Sequence, residues 1–416
     1  YVYQPDRRRK AIVEGQKVLD RYACAECHTL EMERWRFEYD PDEFEPPAAV
    51  EDFAFLKPRF SPQQVAASLA TDRRGRGAAE VAGMPVRGPD GNVLVVEGDE
   101  EDEEGEPLPM MSFQLWEPAV IGGEVCAVGG ADLLIYQHQI TAKRAPEGGA
   151  FARLLYPAAL ADARASGATV AGMEPWGWVP PPLVGEGKKV RPAWLFDYLL
   201  APTPVRPASV LRMPRYSLSS AEAAALVDYF TAAAGAEFSY APDPRSRLVQ
   251  QAATEKGDKS NLPRSGPTTL RAVPGAAHKL ELSPFCARMD DAMRIVIDRK
   301  TFCAKCHQVG DYSPGEEVRT TLGPNLAGAG QPLRPDYVRR WLAHPRSVLP
   351  YTGMPVNFPP AGEPLGQDLL KGTSQQQLDA VTELLLDYQG YTCGRTSIRG
   401  LIEAAESSEA AKAKGP

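Results

Sequence analysis

The chain has 416 residues, 43% of them hydrophobic, and a formal net charge of −8. This length is sufficient for two or three domains. The acidic balance argues against nucleic acid and anionic lipid as partners, because both repel a negative surface. The sequence contains no run of about 18 apolar residues and therefore predicts no membrane-spanning helix.

The first pattern with a chemical meaning is the C-x-x-C-H motif of Cys24, Cys27 and His28. Apolar residues at helical spacing in 6–23 predict an amphipathic helix that leads into it. This motif is typical of covalent haem c attachment, in which two thiols add to the vinyl groups and the imidazole ligates the iron. We therefore predict a haem c group here.

Residues 29–177 contain no related motif and are interpreted as an insertion with β structure. Its role is either a scaffold, which shields the first haem or packs the domains together, or a docking surface for other subunits. In chain order we expect irregular structure (29–60), a helix capped by Ser61 (62–70), a solvated acidic loop (97–106), short strands (111–136) and a helix interrupted at Pro157 (148–165).

A second C-x-x-C-H motif, formed by Cys303, Cys306 and His307, follows a predicted helix at 287–302. Between the modules, residues 240–284 are polar and rich in Pro and Gly, which predicts an interdomain linker. The predicted domains are 1–239, with a core of 6–28 and 178–235, and 285–395, followed by a tail of 396–416.

The two modules form an internal repeat. Three pairs of residues are each 143 apart, whereas the first motif cysteines, Cys24 and Cys303, are 279 apart, so the first module holds 136 additional residues. Met213 and Met354, each followed by proline, are 141 apart. The three pairs are Pro181 and Pro324, Arg191 and Arg334, and Pro202 and Pro345.

With these motifs and Met-Pro loops, the sequence twice resembles the class I c-type cytochrome family, over 6–28 with 178–235 and over 287–392. The resemblance implies a mainly α fold of two tandem cytochrome c-like helical domains, the first with the β-containing insertion. It also implies two covalently bound haem c groups.

The resemblance further implies a ligand set for each iron. His28 would be proximal and Met213 distal in the first module, and His307 and Met354 would have these roles in the second. The carbonyls of the residues at the family's proline positions would accept the Nδ1 proton of each histidine, which raises ligand basicity. These residues are Pro181 and Pro324.

Other side chains near the two sites have looser assignments. Trp194 and Trp341 lie near positions where the family packs aromatics against the haem edge, although their offsets differ. Candidates for propionate contacts are Arg206, Arg212, Arg346 and Tyr351.

Several alternatives remain open at this point. His344 and Met173 are rival distal ligands, and zinc bound by the C-x-x-C-H residues is an alternative to haem. His138 and His278 are interpreted as surface or core residues. Cys126 is interpreted as a core residue, whereas Cys286 and Cys393 form either a disulfide or two buried thiols.

The predicted function is electron transfer in a respiratory chain. Because haem is attached to such motifs after export, the expected compartment is extracytoplasmic, such as the periplasm. Expected partners are a quinol-oxidising complex, a terminal oxidase or a soluble cytochrome. The charged opening at 6–10 is compatible with a membrane anchor upstream of residue 1. The alternatives are an enzyme similar to the dihaem cytochrome c peroxidases, and a haem-based sensor or dehydrogenase partner.

Overall fold

The computed structural model describes residues 5–101, 103–165, 174–207, 209, 211–240, 284–314, 322–392, 398 and 402. The predicted linker and the C-terminal tail lie almost wholly outside this part of the chain, as do Met173, His278 and Cys393. The predicted disulfide between Cys286 and Cys393 therefore also lies outside the described residues. Among the described residues, no helix is both long and apolar enough to cross a bilayer.

The described residues contain eleven α-helices and ten strands. The helices are α1 (Arg7–Arg21), α2 (Cys24–Cys27), α3 (Pro62–Ser68), α4 (Ala150–Ala165), α5 (Glu186–Lys189), α6 (Pro192–Leu200), α7 (Ser220–Ala233), α8 (Pro284–Ile297), α9 (Pro335–Ala343), α10 (Ser374–Leu386) and α11 (Tyr388–Thr392).

The strands all lie between residues 29 and 148. They are β1 (Thr29–Glu31), β2 (Arg34–Tyr39), β3 (Gly77–Pro85), β4 (Val95–Glu101), β5 (Pro107–Leu115), β6 (Ala119–Ile121), β7 (Glu124–Cys126), β8 (Leu133–Tyr136), β9 (Ile140–Arg144) and β10 (Glu147–Gly148).

Six of these strands form one curled antiparallel sheet in the order β4-β5-β3-β2-β9, with β8 also paired to β5. The prediction of a mainly α fold of two tandem cytochrome c-like domains is therefore wrong, and the chain has a mixed α/β fold. The physical reason is that residues 29–148 bury a core of their own between paired strands. A small insertion on a helical scaffold would not do so.

Three local predictions for residues 29–177 are also wrong. Residues 34–39 form a central strand, because Trp35, Phe37 and Tyr39 alternate with charged residues and are buried on one face. The acidic run begins in strand β4 at the edge of the sheet, where β5 satisfies its backbone on one side. Helix α4 also continues through Pro157, which the sequence predicted to interrupt it.

Helix pairs at the two ends of the chain form separate hydrophobic clusters. In the first module α1 packs against α7, and in the second α8 packs against α10. Capping boxes begin α3 at Ser61, α7 at Ser219 and α10 at Thr373. Gly187 packs against the backbone of α7, and Gly330, which is 143 residues later in the sequence, packs in the same way against α10.

The segment that contains all the strands, residues 29–148, is called the sheet-bearing segment here, and it contacts the second module directly. Phe53 and Leu56 are buried within the hydrophobic cluster of that module. The guanidinium of Arg339 lies 4.0 Å from the centre of the Phe55 ring. Asp52 Oδ2 lies 2.9 Å from Nδ1 of His344, and both side chains are largely buried. Of the roles predicted for the insertion, the packing of one domain against another has these contacts in its favour.

The two modules also meet through a short antiparallel bridge with approximate two-fold symmetry, between 189–191 and 332–334. Arg191 and Arg334, which are equivalent in the repeat, make matching bonds across it. The backbone N–H of Arg191 donates to Pro332 O at 2.7 Å, and that of Arg334 donates to Lys189 O at 2.9 Å. The side-chain Nε of Arg191 donates to Leu333 O, and that of Arg334 donates to Val190 O, both at 2.9 Å.

Candidate haem sites

Both C-x-x-C-H motifs fold into the same kind of tight turn. The backbone N–H of His28 donates to Cys24 O at 3.0 Å, and that of His307 donates to Cys303 O at 2.8 Å. The first turn follows Ala23, which has a φ of 53°. This turn keeps the two cysteines of each motif beside the histidine that follows them.

The imidazole of each motif is held by a proline carbonyl from a distant loop. His28 Nδ1 lies 2.8 Å from Pro181 O, and His307 Nδ1 lies 2.9 Å from Pro324 O. A carbonyl can only accept, so Nδ1 must carry the proton in both rings. The lone pair of each Nε2 is therefore available to ligate a metal.

Burial favours the neutral form of both imidazoles. It lowers the pKa of His28, and the Pro181 carbonyl and the Glu186 carboxylate partly offset this, whereas Arg206 and Lys189 lower it further. Burial likewise lowers the pKa of His307, and the Pro324 carbonyl partly offsets the effect. A neutral imidazole is the form that binds metal.

Burial also favours the neutral form of three motif thiols. It raises the pKa of Cys24 and that of Cys27. Burial raises the pKa of the more enclosed Cys303 to about 12. All four motif cysteines, Cys306 among them, are free thiols and can form thioether bonds.

Each predicted distal methionine packs in the cluster that surrounds its own motif. Met213 lies against the first-module cluster together with Cys24, and Met354 lies against the second-module cluster, which contains Cys303. Both methionines are half-buried. The rival ligand His344 is instead paired with Asp52, and His138 lies in a short helical turn after β8.

A buried polar atom without a partner occurs at the bridge between the modules. Nη2 of Arg334 is buried there and has no hydrogen-bond partner among the described residues. Burial raises the pKa of Tyr351, and the positive charge of Arg206 and a hydrogen bond with its side chain partly offset the rise. An unsatisfied buried cationic donor such as Arg334 suits an anionic group, for example a haem propionate. This donor and the two C-x-x-C-H motifs therefore fit haem.

The other propionate candidates have different surroundings. Arg212 is exposed and donates to the carbonyls of Arg206 and Ser209 in its own loop. Arg346 is exposed on a turn that contacts Gly129 of the sheet-bearing segment. Arg334 is one of the repeated residues but was not among the predicted propionate contacts.

Two aromatic contacts that the sequence did not predict are related by the repeat. Trp194 stacks on Tyr198 in α6, and Tyr337 stacks on Trp341 in α9. A shift of 143 residues maps each pair onto the other with Trp and Tyr exchanged. Comparing all aromatics at this offset, instead of the tryptophans alone, would have found the relation.

Among the described residues, no group of three or more His, Cys, Asp or Glu side chains is arranged to hold a bare metal ion. Comparisons of the chain with protein-family models, with curated proteins and with solved structures find no match. Together with the six-stranded sheet, these results overturn the interpretation of the chain as a member of the class I c-type cytochrome family. The motifs that suggested this family are short, and they carry local chemistry without specifying a fold.

Proposed function

We propose that this chain is an electron-transfer protein with two covalently bound haem c groups, one at each C-x-x-C-H motif. The observation that carries the proposal is the imidazole–carbonyl hydrogen bond that recurs at both motifs, from His28 to Pro181 and from His307 to Pro324. Such a bond orients a metal-binding histidine and raises its basicity. Its recurrence at equivalent positions of a repeat supports a shared purpose for the two motifs.

In this proposal each of these residues has a separate role in binding haem. Cys24 and Cys27 hold the first haem covalently, and Cys303 and Cys306 hold the second. His28 and Met213 would ligate the first iron, and His307 and Met354 the second. The soft thioether sulfur of each methionine would favour ferrous iron. When bound, the haem supplies a one-electron iron couple.

We further propose an extracytoplasmic location, such as the periplasm, because haem c is attached after export. The expected role is electron transfer in a respiratory chain, as a subunit or partner of a membrane redox complex. A quinol-oxidising complex, a terminal oxidase or a soluble cytochrome would exchange electrons with it. The net charge of −8 favours basic docking surfaces on these partners.

The test is to produce the exported protein in a host that attaches haem c, and to measure its intact mass, its haem content and its redox titration. We expect a mass increase of two haem groups and two one-electron steps. Replacing Cys24 and Cys27 by alanine should remove one haem, and replacing Cys303 and Cys306 should remove the other. The control Cys126→Ala, at a buried thiol in strand β7, should retain both.

A protein that matures without covalent haem would refute the proposal. The absorption spectrum distinguishes the remaining alternatives. Two low-spin irons with methionine ligation support an electron carrier. A high-spin iron that reacts with peroxide would favour the enzyme similar to dihaem cytochrome c peroxidases.

A further inference from the structure

The two candidate sites differ at one pair of equivalent positions. In α6 the stacked rings of Trp194 and Tyr198 are 4.9 Å apart with an interplanar angle of 18°. In α9 the rings of Tyr337 and Trp341 are 6.0 Å apart with an angle of 19°. The stacking therefore occurs in both modules. The later residue of the pair is Tyr198 in the first module and Trp341 in the second.

The exchanged indole makes a contact that the first module lacks. Nε1 of Trp341 lies 3.0 Å from Sδ of Met354, and the indole N–H can only donate. The equivalent first-module residue is Tyr198. Within the described residues, the structure shows no corresponding bond to the sulfur of Met213. The two predicted distal ligands therefore have different surroundings, although their modules share one pattern.

We propose that Trp341 tunes the second haem site by donating this hydrogen bond to Met354, and that it raises the reduction potential of that site. The inference rests on the proposed function. A thioether sulfur has two lone pairs, so one can accept the N–H while the other remains for iron. Donation by the indole withdraws electron density from the sulfur. The sulfur then stabilises ferric iron less, which favours the ferrous state.

This contact would give the two sites different reduction potentials. One-electron exchange between the sites oxidises one iron and reduces the other, so the exchange needs no additional reactant. The Trp341 bond shifts the distribution of a single electron toward the second module. Trp341 is thus a positioning residue, because it acts on iron only through Met354.

The test is a redox titration of the haem-loaded Trp341→Phe protein, with Tyr198→Phe as the matched control in the first module. Phenylalanine retains a ring for stacking and removes the donor. We expect the ferrous-to-ferric ratio of one site to fall about fivefold at a given potential. This corresponds to about 40 mV, since a tenfold change is 59 mV for a one-electron couple. Tyr198→Phe should leave both potentials close to their original values.

A second variant, Trp341→Tyr, introduces the residue of the first module and should lower the same potential if the phenylalanine protein does not fold. The methionine-to-iron charge-transfer band should change at one haem only. Unchanged potentials in the Trp341 variants would overturn the inference, as would an equal shift in Tyr198→Phe. Absence of haem or of methionine ligation in the unmodified protein would instead overturn the proposed function.

Discussion

Gly323 offers a sharp test of the geometry at the second haem site. A Cβ atom added there would lie 2.9 Å from Cγ of His307 and closer still to Nδ1 and Cε1. Real Cβ atoms essentially never approach other atoms within 3.0 Å, so the Gly323→Ala variant must turn the imidazole or displace the backbone at Pro324. Either movement weakens the hydrogen bond from His307 to Pro324.

The expected cost combines two effects. Overpacking of a well-packed site costs about 1–3 kcal/mol, and loss of one hydrogen bond adds about 1 kcal/mol. We therefore expect Gly323→Ala to lower the free energy of unfolding by about 2–4 kcal/mol. This would appear as a lower midpoint in urea denaturation of the haem-loaded protein. The reduction potential of one haem should also rise, because an imidazole that donates a weaker hydrogen bond is a less basic ligand.

The matched control is Gly328→Ala, because a Cβ atom at Gly328 would meet nothing within 4 Å. This variant should change neither the denaturation midpoint nor the potential. If Gly323→Ala behaved like Gly328→Ala in both measurements, the inferred packing of His307 against this loop would be wrong.

Two further predictions concern the sheet-bearing segment. Phe53→Ala should destabilise the second module by about 3 kcal/mol, since the ring is buried in that module's cluster. Hydrogen exchange in Ser374–Leu386 should therefore accelerate. The control Leu154→Ala, at a side chain that is 74% exposed, should not change this exchange rate. Burial and, less strongly, Glu124 raise the pKa of Cys126 from 9.0 to about 11, so the folded state favours the neutral thiol. Its contribution to stability should be complete below about pH 9 and lost as the pH rises through about 11. Cys126→Ala should flatten this part of the denaturation profile, and an unchanged slope would contradict the assignment.

Helix boundaries were predictable where local chemistry sets them. Ser61 caps α3 as the sequence predicted, and Ser219 begins α7 with the same kind of capping box. A cap satisfies backbone donors with side chains only three residues away, so its pattern is visible in a short window. Two helices therefore start where their sequences indicate.

The strands were harder to predict, for two different reasons. Residues 34–39 carry a period-two pattern of charged and aromatic side chains, which indicates a strand. The high content of Glu, Phe and Pro in 29–60 instead led to a prediction of irregular structure. The acidic residues of β4 resemble a solvated loop, and only their pairing with β5 makes them a strand. Strand propensity depends on neighbours across the sheet, and these are distant in sequence.

The sequence by itself determined the two C-x-x-C-H motifs, their repeat and the two Met-Pro positions that recur in it, because these depend on residue identity and spacing. Only the tertiary structure decided the mixed α/β fold, the insertion of Phe53 into the second module and the hydrogen bond from Trp341 to Met354. These features arise from contacts between residues that are far apart in the chain or from the direction of single side chains. Hydrophobic burial and strand pairing select such contacts only after the whole chain has folded.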